Sequence, residues 1–109
     1  MEMTNRKEGE ALVMSVKGRM DAVTAPEFEK AVQGLMGEGE ISFVIDLADL
    51  DYISSAGLRS ILALAKKLKT ADGSLRLAAL QDTVKEVFDI SGFSSIIPIS
   101  DSVEAACSS

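Results

Sequence analysis

The 109-residue chain carries seventeen acidic and eleven basic side chains, a formal net charge of -6, one cysteine and no histidine. That length holds one domain, residues 1–109, which buries well over half of its unfolded surface without help from metals, and the lone Cys107 has no internal disulfide partner. The acidic balance argues against direct nucleic-acid binding, whose affinity rests on phosphate contacts, and the missing histidine removes histidine phosphotransfer, Ser-His-Asp catalysis and histidine-ligated metals.

Met1 to Glu10 mix charges of both signs, and no apolar run reaches the length of a signal segment or membrane span, so a cytoplasmic protein with no membrane partner is expected. Met3–Arg6 reads as a short extended piece turning at Lys7-Glu8-Gly9 to pair antiparallel with a strand over Leu12–Val16. Gly18-Arg19-Met20-Asp21 follows as a strand-exit turn whose aspartate bonds local backbone or meets a partner. Thr24-Ala25-Pro26-Glu27 has capping-box spacing, and Phe28, Ala31, Val32, Leu35 and Met36 recur at helical intervals until Gly37 and Gly39.

Phe43-Val44-Ile45 predicts a buried strand, with Asp46 to Tyr52 as its exit. Leu58, Ile61, Leu62, Ala65 and Leu68 then form a helical stripe, with Lys66, Lys67 and Lys69 at the negative end of the helix dipole. After the Asp72-Gly73 turn come a strand over Leu75–Leu80 and a short helix capped by Asp82 or Thr83, carrying Val84, Val87 and Phe88 and stopped by Gly92. Ile96–Ile99 predicts an edge strand, because Pro98 has no ladder donor, and Asp101–Glu104 opens a last helix.

The order is that of a small α/β protein: a mixed sheet of about five strands, an N-terminal hairpin followed by parallel strands, with helices mainly on one face. Right-handed crossovers bring the loops holding Asp21, Ser54, Ser55 and Asp82 to one sheet edge. Ser54 and Ser55 sit between a strand and the first turn of a helix. Serine there is a favoured N-cap, and because one residue caps, the other is free to face solvent or a partner. Asp46, Asp49 and Asp51 lack the glycine and glutamate of a calcium loop and read as solvated strand-exit carboxylates, and neither familiar phosphate-cradling glycine motif occurs.

Leu50-Asp51-Tyr52-Ile53-Ser54-Ser55-Ala56-Gly57-Leu58 resembles the signature loop of the STAS domains, and within them of the single-domain anti-sigma factor antagonists. Gly18-Arg19-Met20-Asp21 resembles that family's second-strand exit and Phe88-Asp89-Ile90-Ser91-Gly92-Phe93 its third-helix ending, so the resemblance covers nearly the whole chain. In the family the phosphorylated serine lies two residues before the loop glycine, which puts it on Ser55 when that glycine is Gly57. Ser54 stands where many members have aspartate, and either takes over the carboxylate's cap or competes as phosphoacceptor.

The resemblance implies partner switching. An unphosphorylated antagonist binds an anti-sigma factor that is also a serine kinase, freeing the sigma factor; the kinase phosphorylates Ser55, and a phosphoserine phosphatase resets it. The antagonist is then no enzyme and holds no cofactor, since ATP and magnesium belong to the kinase. Its partner surface is expected at Asp21, Ser54, Ser55, Ala56 and Gly57, with Asp21 touching the partner or orienting the hydroxyl and Gly57 admitting close backbone approach. The alternative within the family is a non-switching regulatory or structural subunit of a transport ATPase or stress-sensing assembly. An enzymatic or nucleotide-binding role finds no catalytic constellation in the chain.

Overall fold

In the computed structural model, which describes residues 1–108, β1 (Glu2–Glu8) and β2 (Ala11–Met20) pair antiparallel from Glu2 opposite Lys17 to Glu8 opposite Ala11. The strand runs through Lys7 and Glu8, so the expected turn moves on to Gly9-Glu10, where Gly9 takes a φ of 62°. β1 forms one sheet edge, and its Glu2, Arg6, Lys7 and Glu8 discourage edge-to-edge pairing.

The remaining elements are α1 (Ala25–Gly37), β3 (Ser42–Asp46), β4 (Leu50–Ile53), α2 (Ser55–Thr70), β5 (Ser74–Ala78), α3 (Asp82–Ser91), β6 (Ile99–Ser100) and α4 (Val103–Cys107). The six-stranded sheet has the order β1-β2-β3-β5-β6, with β4 also on β2. Every pairing outside the hairpin is parallel. This is the mixed α/β architecture expected, with one strand more.

The extra strand lies where an exit loop is expected. β3 pairs with Leu12–Ser15 of β2, and β4 pairs farther along β2 at Gly18–Met20, in a ladder whose register shifts between Gly18 and Arg19. Gly18, at a φ of 101°, turns its N–H to the Asp49 carbonyl at 3.0 Å. The Asp51-Tyr52 pair between buried Leu50 and Ile53 hides β4 from any alternation rule. At the other edge Pro98 offers its carbonyl to Leu77 N–H at 2.9 Å, and the two-residue β6 begins only after it; Ile96 and Ile97 instead follow a 3-10 turn at Phe93–Ser95.

Alternation along the strands divides the core. Leu12, Met14, Val16, Phe43, Ile45, Leu75 and Leu77 face α1, α2 and α3, meeting Phe28, Val32, Ile61, Leu64, Leu68, Val84 and Phe88. Ala11, Val13, Val44 and Ala78 face the other way, under Ala106 of α4. Three helices thus share one face. Among the described residues no helix is long and apolar enough to cross a membrane.

Several caps differ from expectation. Thr24 makes no side-chain cap bond for α1, because its hydroxyl is committed to the turn before it. Gln81, with no side-chain cap bond, precedes α3, so Asp82 is its first helical residue and Thr83 lies within the helix. Gly92 ends α3 left-handed at a φ of 81°, as expected.

Candidate functional site

The carboxyl ends of β2 and β4 lie side by side and each feeds a helix, so the β2–α1 turn and the β4–α2 turn meet at one sheet edge. Ser54 joins them: its N–H donates to the Met20 carbonyl at 2.9 Å. Extended at φ -92° and ψ 174°, it is the N-cap of α2, its Oγ accepting from Gly57 N–H at 3.3 Å and its carbonyl from Leu58 N–H at 2.9 Å.

Ser55 is the first residue of α2, exposed, and its hydroxyl has no hydrogen-bond partner among the described residues. With the cap spent on Gly57, the N–H groups of Ser55 and Ala56 remain the outward donors of the first turn. That turn carries no acidic side chain, whereas Glu27 and Asp82 occupy the first turns of α1 and α3. The positive end of the α2 dipole therefore has no acid of its own helix beside it. Gly57 makes this packing possible, since a Cβ there would lie 2.8 Å from both the Met20 carbonyl oxygen and Ile53 Cγ1.

Asp21 builds its own turn. Its Oδ1 accepts from Val23 N–H at 3.0 Å and Thr24 N–H at 3.1 Å, with the Thr24 hydroxyl at 3.3 Å. The hydroxyl in turn accepts from Asp21 N–H and contacts the Arg19 carbonyl, both at 2.9 Å. The backbone bonds from Thr24 and then Val23 lower the Asp21 pKa against a desolvation cost, helped by the Thr24 hydroxyl and the Arg19 charge. These bonds do not reach either serine, so Asp21 shares the edge with Ser55 without orienting its hydroxyl in this structure. Ala22 and Ala56 line one shallow depression between the two turns, so the loops do adjoin.

A family model described as the STAS domain matches residues 2–106. The chain belongs to the STAS domain family. BtrV of Bordetella bronchiseptica, assigned as an anti-sigma factor antagonist, is 42% identical over 106 residues, covering 97% of this chain and 91% of that protein. The anti-sigma-B factor antagonist of Listeria monocytogenes is 34% identical over 84 residues, covering 77% and 74%. The Bacillus cell fate determinant SpoIIAA in its phosphorylated form superposes with a TM-score of 0.76 at 17% identity, covering 98% of this chain and 97% of that one, a likeness of fold.

Three features of this STAS edge escape sequence reading. Val23, at the tip of the Asp21 turn, is 80% exposed, an apolar residue offered to solvent beside the serines. The Arg19 guanidinium stacks 4.2 Å from the centroid of Tyr52, itself 41% exposed. Ser60 is buried between α1 and α2 and donates to Glu29 Oε1 at 2.6 Å, fixing the two helices below the site. Of these, Ser60 alone left a signal: it falls at helical spacing within the buried stripe of Gly57, Ile61 and Leu64, where a small polar residue needs a partner.

Asp82 opens α3 at the same carboxyl edge, while the neighbouring Gln81 Nε2 donates to the Ala48 carbonyl at 3.0 Å, tying the β5–α3 loop to the β3–β4 turn. Asp46 is likewise engaged locally, with Ser15 Oγ at 3.1 Å and Ala48 N–H at 3.1 Å.

Two results are expected from this geometry. Ser54→Ala removes the α2 cap and lowers stability by about 1 kcal/mol, seen as a lower urea midpoint at unchanged slope; Ser55→Ala stays within about 0.5 kcal/mol of the parent. Asp21 titrates below the ordinary aspartate value of about 3.9, which carboxyl-detected NMR resolves. Because folding lowers this pKa, the ionised side chain contributes fully above the unfolded-state value, and the contribution is lost as pH falls through the folded-state value. A midpoint at or above the ordinary value would contradict the turn described.

Proposed function

We propose that this STAS protein is an anti-sigma factor antagonist switched by phosphorylation of Ser55. The observation that carries the reading is the division of labour between adjacent serines: Ser54 is occupied as the helix cap, and Ser55 stands exposed with an uncommitted hydroxyl at the start of α2. The antagonist names of the relatives at 42% and 34% identity support it. So does a solved phosphorylated protein of the same fold.

Unmodified, the protein binds an anti-sigma factor that is also a serine kinase, and so releases the sigma factor for transcription. The surface is the edge around Asp21, Ser54, Ser55 and Ala56, to which Val23 adds apolar contact; Gly57, expected there from sequence, is instead buried beneath it against Met20 and Ile53. The kinase then moves the γ-phosphoryl of its own magnesium-bound ATP onto Ser55. The Oγ–P bond forms as the bond from Pγ to the β,γ-bridging oxygen breaks, ADP leaves, and the hydroxyl proton passes to a base of the kinase. A phosphatase returns the hydroxyl by hydrolysis, releasing inorganic phosphate. This chain is acceptor and ligand rather than catalyst, acting in the cytoplasm.

Affinity purification from the native cell with wild-type, Ser55→Ala and Ser55→Asp baits tests the reading. The alanine bait should retain the anti-sigma factor at least as well as wild type, and the aspartate bait should lose most of it. Equal recovery by all three would sink the switch and favour a non-switching STAS subunit of a larger assembly.

A further inference from the structure

Arg59 is exposed on α2, one helical turn beyond Ser55. Among the described residues it has no hydrogen bond or ion pair, which is notable for an arginine in a chain of net charge -6. The residues at i and i+4 of a helix are neighbours on its surface, with Cβ atoms about 5–6 Å apart. Helical side chains also lean toward the N-terminus, which puts the turn that residue 55 begins within reach of a long side chain at 59. An anion at i with a cation at i+4 is the favourable order of such a pair.

The nearby acids leave Arg59 available. Arg59 lines the depression it shares with Ala22, Ala56 and Glu29, and Glu29 Oε1 is already held by buried Ser60 at 2.6 Å. Asp21, on the β2–α1 turn, spends Oδ1 on the N–H groups of Val23 and Thr24.

We propose that Arg59 is a positioning residue for the phosphorylated state, clamping a phosphate on Ser55 by a charge-assisted, two-pronged contact within the same helix. The inference rests on Ser55 as the acceptor and adds how the modified form is held. The phosphate meets the outward N–H groups of Ser55 and Ala56 on one side and the planar guanidinium on the other, a geometry that lysine reproduces only as a point charge. Phosphorylation thereby does two things at the partner surface: it adds an anion at Ser55 and folds the Arg59 cation back onto its own chain.

The test uses full-length protein with phosphoserine installed at position 55 during synthesis, so that it does not depend on any kinase. Phosphorus NMR titration should give a second phosphate pKa about 0.15–0.4 pH unit lower in the parent than in Arg59→Gln. Arg59→Lys should restore part of the difference, and added salt should shrink it. Equal values in parent and Arg59→Gln would overturn the clamp. So would an equal response to Arg59→Gln when the phosphoserine is installed at Ser54, which does not share the i, i+4 relation. Arg59 is exposed, so its exchange leaves the fold intact, which circular dichroism checks. Failure of cellular kinases to modify Ser55 would count against the functional reading alone, because the titration bypasses them.

Discussion

Gly57→Ala is expected to destabilise the protein, whereas Gly34→Ala in α1 is expected to stabilise it. The same exchange changes sign because of what the new methyl meets. At Gly34 a Cβ has nothing within 4 Å, so replacing glycine with a better helix former gains about 0.5–1 kcal/mol. At Gly57 the Cβ would stand 2.8 Å from the Met20 carbonyl oxygen, which is backbone held by its bond to Ser54 N–H. Overpacking of this kind costs about 1–3 kcal/mol, which outweighs the propensity gain. Gly57→Val adds two further methyl groups and a β-branch, and should cost about 3 kcal/mol, lowering the melting temperature by about 12 °C. Urea and thermal unfolding of the three variants check the signs. A stabilised Gly57→Ala would show that α2 starts farther from β2 than described.

The second large effect concerns binding. Phosphate on Ser55 should leave the fold unchanged while weakening the complex with the anti-sigma factor by about thirty- to a thousandfold, equivalent to about 2–4 kcal/mol. The first turn of α2 has outward N–H donors and no acid of its own, so a group of nearly two negative charges is favoured within the chain. The loss therefore falls on the interface, through bulk, desolvation and repulsion from partner acids. Calorimetric titration of both forms, with circular dichroism on each, separates the two arms. Equal affinities, or unfolding of the phosphorylated form, would refute this division.

Much of this was legible in the chain because local and tertiary preferences agree. The Leu58 to Leu68 stripe, the Leu12–Val16 and Phe43–Ile45 strands and the Gly92 stop each read out of periodicity and turn chemistry, and each occurs. Where they fail, a tertiary interaction has won. β4 forms where β2 runs on past its pairing with β3 and offers Gly18–Met20 to Leu50–Ile53, a segment too short and too polar to announce itself. The Thr24 capping box fails because Asp21, three residues upstream, recruits its hydroxyl.

At the site, the serine pair and Gly57 were legible as a loop motif. Helix-cap preference alone gives adjacent serines equal claims, the family resemblance favours Ser54 as the cap, and the backbone geometry places the cap there. The Ser60–Glu29 bond and the Arg19–Tyr52 stack join residues 31 and 33 positions apart, beyond the reach of local pattern.

The most direct test of the central claim is phosphopeptide mapping after incubation of the protein with its native anti-sigma kinase and ATP, with fragmentation that separates Ser54 from Ser55. Phosphate is expected on Ser55 alone, and none on Ser55→Ala even though Ser54 is intact. Phosphate on Ser54, or undiminished modification of Ser55→Ala, would contradict it.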